Sequence, residues 1–140
     1  MFYAAIVGSR RRTDKSRVDM LVCKLHMSYG YLTIVSGGCP GPDTWAAEVA
    51  RAIGIPVIEH RPTLPEAGAP AWAYTRAYYA RNKVIAGMCH ELFAFVSPDR
   101  TGGTENTIKY AIKFRKRVTI IMPDGTREII EPKPVQLQLA

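Results

Sequence analysis

Three short stretches hold residue types fit to grip an anion: Gly8-Ser9-Arg10, Ser36-Gly37-Gly38 and Gly102-Gly103-Thr104. A glycine without Cβ lets a ligand oxygen approach the main-chain N–H groups, a Ser or Thr hydroxyl adds a donor, and an Arg presents a fork of donors matched to phosphate. The second stretch runs into Gly41-Pro42-Asp43, which places Gly at an N-cap and Pro in the first turn of a helix, where a missing N–H costs nothing. Helix N-termini favour anions, so the spacing fits a phosphate ligand. Each stretch alone is equally an ordinary tight turn. Asp43 either hydrogen-bonds a ribose hydroxyl or complements the helix dipole.

A fourth element is "ARNKVIAG", in which Arg81 and Asn82 are a polar pair inside an apolar helix, either a ligand contact or an exposed stripe. In the ligand reading Arg10 and Arg81 neutralise phosphate, while Asn82 and Thr104 orient a base or sugar. Cys39 stands at a helix N-terminus, a place for a reactive thiol or for a small residue that fills the loop. His60, Cys89 and His90 lack metal-ligand spacing, so no metal is expected. Gly-x-Gly-x-x-Gly is absent after the first apolar run, which argues against NAD or FAD and leaves no cofactor expected. No Ser-His-Asp or Cys-His set is assembled, and no nucleophile is assigned.

Strands and helices must position these loops. Apolar runs at 2–7, 31–35, 55–60, 91–96 and 118–122 are short and rich in β-branched and aromatic residues, and predict five strands. Four helical patterns lie between them: Val18, Leu21, Val22, Leu25; Trp45, Ala46, Val49, Ala50; Tyr78, Val84, Ile85, Met88; and Ile108, Ala111, Ile112. The alternation predicts an α/β, Rossmann-like three-layer sandwich with a mainly parallel sheet in the order 3-2-1-4-5. Its switch point falls between the first and fourth strands, where ligands of such sheets bind. Residues 1–123 form the Rossmann-like domain, and 124–140, opening with a turn at Asp124-Gly125, form an edge hairpin or docking tail. The Pro-rich stretch 61–70 is a long connection, either a lid or a surface loop.

The chain of 140 residues has 47% hydrophobic and 22% charged residues, an ordinary globular composition. No basic leader or membrane span is legible at the N-terminus, so a soluble cytoplasmic protein without membrane contact is expected. Cys23, Cys39 and Cys89 are too few and too widely spaced for a disulfide framework. The net charge of +7 favours an anionic partner, a phosphate ligand or nucleic acid. The face with Ile108, Ala111 and Ile112 suits either a homodimer or the core.

"GSR" (8–10), "SGGCPGPDTWAAEVARAIG" (36–54), "RNKVIAGMCHELFAFV" (81–96) and "GGTENTIKYA" (102–111) together resemble the SLOG superfamily of Rossmann-like nucleotide-binding proteins, over most of residues 4–122. The small YspA and YpsA-like members are nearest in size and loop pattern. That resemblance implies a nucleotide or nucleotide-like phosphate ligand, held by a carrier, sensor or scavenger. The DNA-processing protein A group is similar at Arg81 to Gly87, which implies single-stranded DNA as an alternative partner. The Lonely Guy (LOG) phosphoribohydrolases are similar at Gly103-Thr104, which implies cleavage of a nucleoside monophosphate as another alternative. Aligned on that pair, Asn106 and Thr107 stand where the acids belong, so the carboxylate that glycosidic cleavage needs is missing. Glu105 and Glu48 remain as displaced acids, and Glu105 is rotated ~100° from the motif position. Arg81 is the other catalytic candidate, and Asn106 joins the ligand-binding set.

Overall fold

A computed structural model describes residues 1–134. The elements follow in the order β1 (Phe2–Gly8), α1 (Lys15–Ser28), β2 (Leu32–Ser36), α2 (Pro42–Ala52), β3 (Val57–Glu59), α3 (Ala71–Met88), β4 (Glu91–Phe95), α4 (Gly103–Lys113), β5 (Arg117–Ile121) and β6 (Arg127–Ile130). The sheet order is β3-β2-β1-β4-β5-β6. Strands β1 to β5 pair in parallel, and β6 adds antiparallel to β5 with Val118 opposite Ile130. The expected α/β architecture and the order of the first five strands are therefore present, extended by one edge strand. Part of the expected 124–140 tail lies at 135–140, outside the described residues.

Near-continuous apolar strands bury both faces of the sheet. On one face Ala4, Ile6, Ile34 and Phe93 pack against Val18, Leu21, Val22 and Leu25 of α1 and Ala46 and Ala50 of α2. On the other, Ala5, Val35, Leu92 and Val118 pack against Ile85 and Ala86 of α3 and Ile108 and Ala111 of α4. A fully buried side chain of this size stabilises the fold by ~1.5–3 kcal/mol relative to exposure. The apolar stripe expected on α3 is largely outside this core: Val84 is 49% and Met88 38% exposed, and the helix instead buries Arg81 and Asn82 beside Ile85 and Ala86. On α4, Ile112 is exposed while Ile108 and Ala111 belong to the core. Among the described residues no helix is long and apolar enough to cross a membrane.

The three adjacent arginines after β1 diverge. Arg12 is buried, donating from Nη1 to the Val96 and Ile121 carbonyls at 3.1 and 2.7 Å and pairing with Asp14 at 2.5 Å. It ties the C-terminal ends of β4 and β5 to the β1–α1 loop. Arg11 pairs with Asp99 across the β1 and β4 loops at 2.8 Å. Arg10 is exposed.

Candidate functional site

At the C-terminal edge of the sheet, on either side of the β1/β4 switch point, the loops enclose a crevice of about 580 Å³. It receives Gly8, Ser9 and Arg10 from the β1 loop, Asp43 from α2, Arg81 and Asn82 from α3, and Gly102, Gly103 and Thr104 from α4. Nine of the thirteen expected ligand-binding residues thus meet in one place. Ser36, Gly37, Gly38 and Asn106 do not line it.

The Ser36-Gly37-Gly38 bend lies behind the crevice wall, and its donors are already bonded. Gly37 N–H donates to Asp43 Oδ2 at 3.1 Å, Gly8 N–H donates to Asp43 Oδ1 at 3.1 Å, and Gly38 N–H donates to the Ser36 hydroxyl at 3.1 Å. The Ser36 hydroxyl in turn donates to the Asp43 carbonyl at 3.0 Å. The amides expected to receive a phosphate are thus occupied by groups of the chain itself, the Asp43 carboxylate on Gly8 and Gly37 and the Ser36 hydroxyl on Gly38. The bare backbone is needed for that closure: a Cβ on Gly37 would lie 2.9 Å from both Asp43 Oδ2 and Arg81 Nη1, and one on Gly8 would lie 2.4 Å from Pro42 Cγ.

Helices α2 and α4 begin alike and differ in one decisive residue. Each has a glycine N-cap with φ near +100°, Gly41 at 100° and Gly102 at 99°, and neither has a side-chain cap. This is backbone that L side chains rarely adopt. The second helical residue is Asp43 in α2 and Thr104 in α4. Asp43 puts a carboxyl in the first turn of α2 and turns it onto the amides of Gly8 and Gly37. Thr104 leaves its terminus open, and the N–H groups of Gly102, Gly103 and Thr104 have no acceptor among the described residues, whereas Glu105 N–H bonds back to the Gly102 carbonyl at 3.2 Å. The Thr104 residue is 8% exposed, and its hydroxyl lines the crevice without a protein partner. Helix N-termini leave such donors for caps, water or ligands.

Arg81 and Asn82 act on the protein's own groups. Arg81 donates to the Gly37 carbonyl at 2.7 Å, to Asn82 Oδ1 at 2.9 Å and to Cys39 Sγ at 3.3 Å. Asn82 Nδ2 donates to Asn106 Oδ1 at 3.1 Å and to the Gly103 carbonyl at 3.4 Å. The pair pins α3 to the β2–α2 loop and to the first turn of α4. The buried position of both residues overturns the exposed-stripe alternative.

Burial pushes the Asp43 carboxyl up to about 7, against the opposing pull of the Gly37 amide, Arg81 and the Gly8 amide. Asp43 binds its proton more tightly when folded than when unfolded, so its contribution to stability is fully present below about pH 4 and is lost as pH rises through about 7. Stability measured by denaturant titration is expected to fall across that window by at most ~1.4 kcal/mol per pH unit from this group. Asp43→Asn is expected to flatten the slope.

The acid candidates face elsewhere. Glu105 is held by both carboxylate oxygens to Arg100 at 2.9 Å and does not line the crevice. Glu48 is exposed on α2 and is also absent from the lining. At the position where the phosphoribohydrolase pattern wants an acid, Thr107 donates its hydroxyl to the Gly103 carbonyl of its own helix at 3.2 Å. Ser97, Thr101 and Arg11 hold Asp99 down to about 2, an anion that keeps Arg11 occupied at the rim. Among the described residues no three His, Cys, Asp or Glu side chains gather as a metal site.

Several lining residues carry no motif: Thr75, Tyr78 and Tyr79 from α3, with Tyr78 36% and Tyr79 44% exposed. In sequence the tyrosines fit either stacking aromatics or a packed helix face, and the length of α3 decides between the two. Its 18 residues rise ~27 Å, against roughly 17 Å for the five-residue strands, so its N-terminal turns overhang the sheet edge. The 61–70 connection does not line the crevice.

No protein-family model matches the chain, and no curated protein matches it. Solved structures do. DNA processing protein A from Streptococcus pneumoniae superposes with a TM-score of 0.68 at 22% identity, over 86% of this chain and 50% of that one. DNA processing protein A from Helicobacter pylori, described for its unique single-stranded DNA binding mode, gives 0.68 at 20% identity, over 85% of this chain and 64% of that one. The protein TM1055 gives 0.60 at 19% identity, over 84% of this chain and 72% of that one. The chain thus spans between half and about two thirds of the two DNA processing proteins. These likenesses establish a shared Rossmann-like fold.

Proposed function

We propose that the protein binds a nucleotide or nucleotide-like phosphate ligand in the crevice, its phosphate on the N-terminus of α4, and that it belongs with the small YspA and YpsA-like members of the SLOG superfamily. The observation that carries this reading is the open terminus of α4: the N–H groups of Gly102, Gly103 and Thr104 and the Thr104 hydroxyl have no protein partner among the described residues, whereas the Gly8 and Gly37 amides are held by Asp43. Arg10, exposed on the crevice wall, supplies charge, and Tyr78 and Tyr79 offer ring faces to a base. The volume of about 580 Å³ falls in the range of small-molecule sites. The ligand is carried or sensed without bond cleavage, because the one carboxylate lining the crevice, Asp43, has both oxygens bonded to main-chain amides. Nucleoside 5′-monophosphates are expected to raise the melting temperature while the matching nucleosides do not. Thr104→Val, which removes one hydrogen bond to a charged phosphate oxygen, is expected to weaken that binding about tenfold in calorimetry.

A second reading is favoured by one feature, the exposed aromatic run Trp72, Tyr78 and Tyr79 on the overhanging turns of α3, suited to stacking the bases of a single strand. Arg11, Arg81 and Arg100 around the crevice are already engaged, leaving Arg10 for phosphates. A strand bound there would show a shallow salt dependence, and binding that weakens steeply with salt would have to use another surface.

A further inference from the structure

Four uncommitted cations gather at the other end of the sheet, where α4 ends and β5 begins. A groove of about 600 Å³ runs there between the last turn of α4 and the segment that follows β6. Lys113, Arg115, Lys116 and Lys133 line it, and none of their side chains has a hydrogen bond or ion pair among the described residues. The single acid of the groove, Glu131, is bonded to Arg117 at 2.9 Å. Ile112, Ile130, Pro132 and Pro134 complete the walls, and no aromatic ring is among the lining residues.

Helix termini alone do not account for these cations. The end of α4 is closed by the main chain, with Phe114 N–H on the Tyr110 carbonyl at 2.9 Å, Arg115 N–H on Ile112 at 3.0 Å and Lys116 N–H on Ala111 at 2.9 Å. Arg115 takes the left-handed position of this closure, with φ of 60°. Glycine usually occupies that position because it meets no Cβ penalty there. The chain instead keeps a guanidinium at a strained residue beside three free ammonium groups.

We propose that this groove is a second anion site, distinct from the crevice, that takes a compact oligophosphate chain. Several phosphoryl groups are needed to satisfy four cations, and lysines serve phosphate as point charges. The lack of a stacking surface disfavours a nucleic-acid strand.

The test is calorimetric titration with inorganic tripolyphosphate, with main-chain amide shifts followed by NMR in parallel. Shifts are expected at 112–116 and at Ile130, Glu131 and Lys133. Arg115→Gly removes the charge and releases the strained backbone together, so it is expected to hold or raise the melting temperature while weakening tripolyphosphate binding about tenfold. Lys113→Gln with Lys116→Gln is expected to weaken it further. Equal affinity for tripolyphosphate and ATP would assign recognition to the phosphate chain, and tighter ATP would assign it to a nucleotide's polyphosphate arm. Shifts confined to the crevice, unchanged affinity in Arg115→Gly, or binding of an oligothymidylate but not of tripolyphosphate would overturn the proposal.

Discussion

Arg81→Met is expected to lower the folding free energy by about 1–3 kcal/mol, the cost of leaving the buried Gly37 carbonyl and Asn82 Oδ1 without their donor. The guanidinium is buried at 8% exposure, donates to the Gly37 carbonyl and Asn82, and faces the Asp43 carboxylate as its counter-charge. Without it the carbonyl of Gly37 loses its donor and α3 loses its bond to the β2–α2 loop. For a domain near this size each 1 kcal/mol lowers the melting temperature by ~2–4 °C, so a drop of roughly 5 °C is expected in calorimetry. Asp43 shares the Gly37 peptide with Arg81, accepting from its N–H while Arg81 donates to its carbonyl. The double variant with Asp43→Asn is therefore expected to be less destabilised than the sum of the singles, by at least ~1 kcal/mol. Strict additivity would mean that Arg81 acts through packing alone.

The second large effect concerns the ligand. Gly103 is the first residue of α4, where proline is well tolerated because its missing N–H has no helical partner. A Cβ there would have as its nearest neighbour Asn82 Nδ2 at 3.8 Å, an ordinary contact. Gly103→Pro thus removes one of the three open N–H groups at little structural cost. Binding of a nucleoside monophosphate is expected to weaken about tenfold or more, the worth of one hydrogen bond to a charged oxygen, with an unchanged or higher melting temperature. Gly103→Ala keeps the N–H and is expected to bind as the parent does. Equal loss in both variants would trace the effect to crowding of the crevice.

The strand order was legible because it follows from apolar runs that alternate with helical patterns, and these depend on local sequence. The crevice loops were legible for a similar reason, since glycine, proline and small hydroxyl residues mark the turn at the end of each strand. What an individual loop does was not legible. The glycine loops after β2 and β4 look equivalent along the chain, and the difference arises only when Asp43, six residues after Gly37, folds back to occupy its amide. Arg10, Arg11 and Arg12 are likewise indistinguishable in sequence. Their separate fates depend on carbonyls contributed by β4 and β5, more than eighty residues away. Whether Tyr78 and Tyr79 stack on a ligand or pack a helix face was not decided by the sequence, because their spacing is the same whether they face the core or overhang it.

The most direct test of the phosphate site is an amide-resolved NMR titration with a nucleoside 5′-monophosphate and, separately, with the same nucleoside lacking phosphate. The account predicts that the monophosphate moves the amides of Gly102, Gly103 and Thr104, that the nucleoside leaves them in place, and that the Gly37 and Gly38 amides respond to neither. Movement at Gly37 and Gly38 with no change at Gly102 to Thr104 would contradict it.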